Sequence, residues 1–214
     1  MGGACGNYSF LFFLPVILRN SFGFSQSMSF YLSTPPAAFG IFASMAVSWV
    51  SDKVQMRGIF VIGECAVGVA GLAMTGFASD PVPRYIGTFL GLGGINCLIA
   101  TNLAWAQNNV RDDAKRSVVT VIQISVASIG GIYSSLVFRN QVSTEPPDVH
   151  TPWKANEAEQ DAPDYVPGII SVGALLILDA FLATGQIIFL RRENRKADRG
   201  EKVLQGSPDF RFML

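Results

Sequence analysis

Amide, phenol and carboxyl side chains stand inside long apolar stretches of this 214-residue sequence: Asn7, Tyr8, Asn96, Asn102, Gln123, Glu64 and Asp179. Polar groups in such surroundings are expensive and tend to mark function. The amides and the phenol offer hydrogen bonds, either to a small polar molecule or to a neighbouring helix. The two carboxyls offer proton chemistry or a structural pairing. Asp179 sits near the middle of its stretch, where an ionised carboxylate costs at least about 2.5 kcal/mol on insertion scales. Metal chemistry is not expected: the single histidine, His150, lies in a polar segment with no second ligand nearby. Cys5, Cys65 and Cys97 all lie in apolar runs, which predicts small buried hydrophobes and no disulfide framework. The sequence offers no histidine–glutamate or serine–histidine constellation, so no enzyme is expected. It has no nucleotide-binding loop and no cofactor signature. With 16 basic and 16 acidic residues, no basic face for nucleic acid is expected.

The elements that carry these residues follow from where the charges fall. Half the residues are hydrophobic and only 15% are charged, with a mean hydropathy of +0.35. Most basic residues are confined to Lys53–Arg57, Arg111–Arg116 and Arg191–Lys202. Six stretches between them approach the roughly 20 residues a bilayer-crossing helix needs. They run from about Gly3 to Leu18, Ser29 to Val50, Ile59 to Phe77, Tyr85 to Ala106, Val118 to Phe138, and Val166 to Leu190. Each is predicted helical, because backbone groups in hydrocarbon need internal partners and the alternation of a barrel is absent. The predicted fold class is therefore an all-α polytopic membrane protein. Breaks are expected at Arg19-Asn-Ser21, at Ser79-Asp-Pro81 and in the proline-rich segment 146–152. No basic region precedes the first span, and further spans follow, so a signal peptide is rejected.

Twelve Lys and Arg residues fall on the side of loops 2–3 and 4–5 and of the C-terminal tail, against Arg19, Arg84, Arg139 and Lys154 on the other. That asymmetry predicts a cytoplasmic C-terminus. The basic tail 191–214 is expected to lie at the anionic inner leaflet as a topology anchor, each cation contributing about 1 kcal/mol. Gly87 and Gly91, and the series Ala127, Gly131 and Ser135, place small residues four apart, as closely packed membrane helices do.

The loop Trp49-Val-Ser-Asp-Lys-Val-Gln-Met-Arg-Gly58 resembles the cytoplasmic loop between helices eight and nine of the major facilitator superfamily. The resemblance implies that Asp52, Lys53 and Arg57 latch helix ends to one another through a charge-assisted contact that breaks as the bundle rocks. Asn108-Asn-Val-Arg-Asp-Asp-Ala-Lys-Arg-Ser117 and Gln123-Ile-Ser-Val-Ala-Ser-Ile-Gly-Gly131 look like helices ten to eleven of its fungal allantoate permease, or anion:cation symporter, branch. Phe12-Phe-Leu-Pro15, Leu32-Ser-Thr-Pro-Pro36 and the ending Ser207-Pro-Asp-Phe-Arg-Phe-Met-Leu214 are similar to the same group.

On that resemblance, residues 1–190 correspond to helices 7–12 of a twelve-helix carrier. The implied function is transport of small organic anions by alternating access, coupled to protons, in the plasma membrane. Asn7, Tyr8, Asn96, Asn102 and Gln123 would line the central cavity, each equally able to serve as an interhelix hydrogen bond. Charge recognition of the anion would fall to a cation in the preceding six helices. Pro35 and Pro36 are expected either to permit gating bends or to be fixed kinks. Glu64 and Asp179 would fall on supporting helices, where a paired or protonated structural role competes with proton relay.

Two features depart from the family pattern. The first span is short, which places Met1 inside helix seven and predicts a truncated product, inactive alone. The polar segment Val142–Gln160 separates Arg139-Asn-Gln141 from Asp161-Ala-Pro-Asp-Tyr165, and removing it restores the family's usual connection. It reads as a retained intron translated in frame, or as a loop insertion. The alternative function is a non-transporting six-helix fragment that associates with another carrier.

Overall fold

A computed structural model describes residues 2–22, 26–78, 80–137, 166–207 and 210–213. Six helices follow one another: α1 (Gly2–Phe22), α2 (Gln26–Val54), α3 (Arg57–Phe77), α4 (Pro81–Asn108), α5 (Asp113–Val137) and α6 (Val166–Asp198). Among the described residues there is no strand, only an isolated bridge between Leu204 and Ser207. Five helices, α2 to α6, are long and apolar enough to cross a membrane. The chain is an all-α polytopic membrane protein. The segment 142–160 lies outside the described residues.

Helix boundaries extend past the apolar stretches wherever polar residues follow that a helix tolerates. The predicted break at Arg19-Asn-Ser21 is wrong: α1 continues to Phe22 and is 21 residues long. At 1.5 Å per residue that is about 31 Å, enough to span hydrocarbon, so the first span is longer than its apolar run. Arginine is a good helix former, and polar side chains at a helix end reach water without disturbing the backbone ladder. The helix breaks between Phe77 and Pro81, as expected, with Pro81 opening α4, where a missing N–H leaves no helical bond unmade. Between α2 and α3 the chain turns through Gln55, held left-handed at φ 59° while its N–H bonds Ser51 O at 3.0 Å.

α3 and α4 form the centre of the bundle, and glycine is what lets them meet. A Cβ on Gly71 would fall 2.1 Å from the backbone nitrogen of Gly91. One on Gly94 would fall 2.7 Å from the nitrogen of Gly68. The two backbones therefore touch without intervening side chains, the close approach that drives helix association where no hydrophobic effect operates. On its other side Gly91 receives the Phe10 ring of α1, and Gly87 sits against Met74 and Thr75. Around this seam Leu72, Ile95, Leu98, Val172 and Leu176 complete the buried core.

α2 and α5 turn mostly outward. Tyr31, Phe42, Met45 and Trp49 of α2 are exposed, as are Val121, Ile124, Ile129 and Ile132 of α5. Rows of exposed apolar side chains suit helices whose surroundings are lipid or another bundle.

The chain after α6 folds back onto the ends of α4 and α6, with Leu204 buried. Its turn places Gln205 and Gly206 both at positive φ. Several tail cations are held by the protein itself: Lys196 and Lys202 on Glu193, and Arg211 on Asp198 at 2.7 Å. A tail read from composition as a row of cations for the membrane surface is in part a folded segment.

Candidate functional site

α1, α4 and α5 carry the amides singled out from sequence, and the fold sorts them into two groups. Asn7 Nδ2 donates to Asn96 Oδ1 at 2.5 Å, joining α1 to α4. Gly40 of α2 makes room for this pair, since a Cβ there would lie 2.5 Å from Asn96 Nδ2. About 9 Å along α4 at 1.5 Å per residue, Asn102 meets Gln123 of α5. Gln123 Nε2 donates to the Asn102 carbonyl at 3.4 Å. Its Oε1 is buried and has no hydrogen-bond partner among the described residues. The Tyr8 ring packs against α5, 3.0 Å from where Gly131 would carry a Cβ.

Asn102 and Gln123 border a cavity of about 350 Å³ that also receives Asp179 and Gln186 of α6, Gly3 of α1 and Trp105 of α4. This volume lies within the range of small-molecule sites, roughly 300–1,000 Å³. Four hydrogen-bonding side chains from three helices thus converge on one space, which is otherwise apolar. Asp179 Oδ2 accepts the Gly3 backbone N–H at 3.2 Å. Gln186 was not singled out from sequence, although a polar side chain in an apolar span is the signal that marks the others.

Glu64 occupies a different place. It is buried on α3, where its Oε1 accepts from the Thr101 hydroxyl of α4 at 2.7 Å. Its Oε2 has no partner among the described residues. Beside it lies an apolar crevice of about 390 Å³ between α2, α3 and α4, bordered by Phe39, Phe60 and Cys97. Thr101 was missed because a threonine in a span passes for an ordinary helix residue, bonding its own backbone.

At the α2–α3 turn Arg57 reaches Asp52 in a direct ion pair. Lys53 does not join them; its ammonium lies 3.7 Å from the centre of the Trp49 ring. Arg57 is largely covered, at 11% side-chain exposure against 57% for Asp52, and its Nε is buried without a partner among the described residues. Pro35 and Pro36 lie within a continuous α2. Pro36 lacks an N–H, which frees the Leu32 carbonyl one turn earlier, and the Tyr85 hydroxyl of α4 donates to that oxygen at 3.1 Å. Among the described residues no cluster of histidine, cysteine or carboxylate side chains is arranged to hold a metal.

The chain is similar to known transporters over nearly its whole length. It is 26% identical to an uncharacterized transporter of Schizosaccharomyces pombe, over 97% of this chain and 39% of that protein. It is also 26% identical to the MFS-type transporter cnsO of Penicillium expansum, over 100% of this chain and 41% of that one. Against the high-affinity nicotinic acid transporter of Saccharomyces cerevisiae the identity is 25%, over 94% of this chain and 36% of the relative. The chain thus spans about two fifths of the length of these relatives. No solved structure matches it. The Major Facilitator Superfamily profile matches residues 1–135, well over half the chain. A glycine-seamed bundle of apolar helices with polar groups turned into a pocket bordered by α4, α5 and α6, matched by that profile and by named transporters, belongs to the Major Facilitator Superfamily.

Proposed function

We propose that this chain is the C-terminal six-helix half of a proton-coupled carrier of small organic anions in the allantoate permease branch, acting by alternating access. The observation that carries the reading is the 350 Å³ cavity on which Asn102, Gln123, Asp179 and Gln186 converge. Amide N–H groups suit a carboxylate-bearing solute, and a buried Gln123 Oε1 without a partner is an acceptor that a bound molecule or proton would satisfy. Likeness to a nicotinic acid transporter supports an organic anion as the substrate class. Asn7 and Asn96 bond each other, so in this reading they open to substrate only as α1 and α4 move apart; Tyr8 flanks the same path. The proton site is Asp179, near the middle of α6. Pro35 and Pro36 bend α2 while Asp52 and Arg57 hold its end to α3, with Lys53 in reserve on Trp49. The protein resides in the plasma membrane with its C-terminus in the cytoplasm.

Uptake of labelled nicotinate by cells expressing the complete product of this locus tests the reading. Uptake is expected to be faster at external pH 5 than at pH 7.5 and to be abolished by a protonophore. Indifference to both treatments ends the proton claim, and absence of uptake across a panel of small carboxylates ends the substrate claim. In the same assay Asp52→Asn is expected to slow uptake with little change in apparent affinity, because the pair it breaks touches no cavity residue.

A second reading is favoured by the outward apolar faces of α2 and α5: a non-transporting fragment that pairs with another carrier. Co-purification of a carrier of similar fold with the 214-residue chain is its expected result; recovery of the chain alone from mild detergent excludes it.

A further inference from the structure

Beyond α6 the chain does not trail away. Asn109, just past the end of α4, accepts the Met213 N–H at 2.7 Å and donates to the Met213 carbonyl at 3.2 Å. Asn194 of α6 does the same to the preceding residue, accepting the Phe212 N–H at 2.9 Å and donating to its carbonyl at 2.8 Å. Trp105 Nε1 adds a bond to the Met213 carbonyl at 2.9 Å. Each asparagine thus offers an acceptor and a donor to one residue's main chain, as the edge of a sheet does to an added strand. Gln205 ties the start of the segment down, donating to the Asn109 carbonyl at 2.8 Å and accepting the Arg111 N–H at 2.8 Å.

We propose that Trp105, Asn109 and Asn194 form a peptide-recognition surface whose occupant is the chain's own Phe210–Met213 segment, and that this segment is a strap closing one end of the Asn102–Gln123 cavity. Trp105 joins the two features. Its ring is 2% exposed and borders that cavity, while its indole N–H is spent on Met213. The asparagines read main chain, whose hydrogen bonds water replaces when the segment leaves, while Arg211 pairs with Asp198 and Phe212 packs against the buried core. Release would free Trp105 and the α4–α5 connection together. Closure of the cavity as a step in transport rests on the function proposed above; the docking and its effect on access do not.

The test uses the full chain in native membranes, with Cys5, Cys65 and Cys97 replaced by alanine. Asn108 Nδ2 lies 3.4 Å from Met213 Sδ, so the two side chains are in contact, and an Asn108→Cys/Met213→Cys pair is introduced for oxidative cross-linking. A third change, Asn102→Cys, reports access to the cavity through its rate of modification by a water-soluble maleimide, read by mass spectrometry of the peptide that contains it. Oxidation is expected to form the cross-link and to slow modification at position 102 by at least about tenfold relative to the same protein after reduction. An unchanged rate across oxidation and reduction overturns the strap. So does an Asn109→Ala/Asn194→Ala variant that leaves the rate unchanged, a reading that needs no cross-link. Asn109→Ala/Asn194→Ala is expected to speed modification in the opposite direction. None of these readings requires transport, so a wrong substrate class leaves them intact.

Discussion

Tyr85 answers a deficit created two helices earlier in the chain. Pro36 removes the N–H that would have bonded the Leu32 carbonyl, and the Tyr85 hydroxyl supplies a donor from α4. Tyr85→Phe is expected to leave that oxygen without a donor and to destabilise the bundle by about 1–3 kcal/mol, measured as a lowered midpoint in detergent unfolding. If the explanation is right, Pro36→Ala restores an N–H to the helix, and Tyr85→Phe then costs little in that background. Additive effects of the two changes would show that the hydroxyl and the proline are not coupled. The same hydrogen bond narrows the two expectations held for Pro35 and Pro36: the carbonyl freed by Pro36 is occupied.

At the scale of helices, the α3–α4 seam is decided by what is missing. Gly71 faces backbone, which has nowhere to go, whereas Gly173 of α6 has nothing within 4 Å of where a Cβ would stand. Gly71→Ala is therefore expected to cost about 1–3 kcal/mol or more through overpacking. Gly173→Ala is expected to be neutral or to stabilise by up to about 1 kcal/mol, since alanine is the better helix former. Unfolding midpoints of the two variants in one detergent compare them; equal effects would mean that the close approach of α3 and α4 does not hold the bundle together. The pair Gly87 and Gly91, read from sequence as a contact face, is part of the seam, and Gly68, Gly71 and Gly94 extend it.

For the molecule as a whole, the ends of the helices divide into a basic side and a sparsely charged one. Gly58 at the start of α3 would touch Ile187 and Trp105 with a Cβ, so the start of α3, the end of α4 and the end of α6 share one end of the bundle. Lys53, Arg57, Arg111 and Arg191 belong to that end. The positive-inside rule places that end toward the cytoplasm as an expectation. In intact cells an impermeant maleimide is expected to label Val82→Cys and to label Arg199→Cys only after permeabilisation. The reverse pattern would invert the orientation. Both positions are exposed, so failure to react cannot be put down to burial.

Most of the membrane architecture was legible without coordinates. Hydrocarbon imposes a length and a composition on anything that crosses it, and five of the six helices pass that criterion in the structure. Spacing of small residues likewise announced close packing around Gly87 and Gly91. What a span's sequence leaves open is its rotation about its own axis and its depth against its neighbours, both of which packing decides. For that reason the amides expected around one cavity divide into Asn7 with Asn96 and Asn102 with Gln123, while the Tyr8 ring packs against Gly131. Gln186 and Trp105 join the second group from helices whose facing side could not be read. The tail shows the same limit. Asn109, Asn194 and Gln205 are isolated polar residues in sequence, and only the return of the chain across the ends of α4 and α6 makes them partners of backbone 104, 18 and 96 residues away. Local composition determined which segments enter the bilayer; long-range contact, which no local pattern encodes, decided which of their polar groups meet.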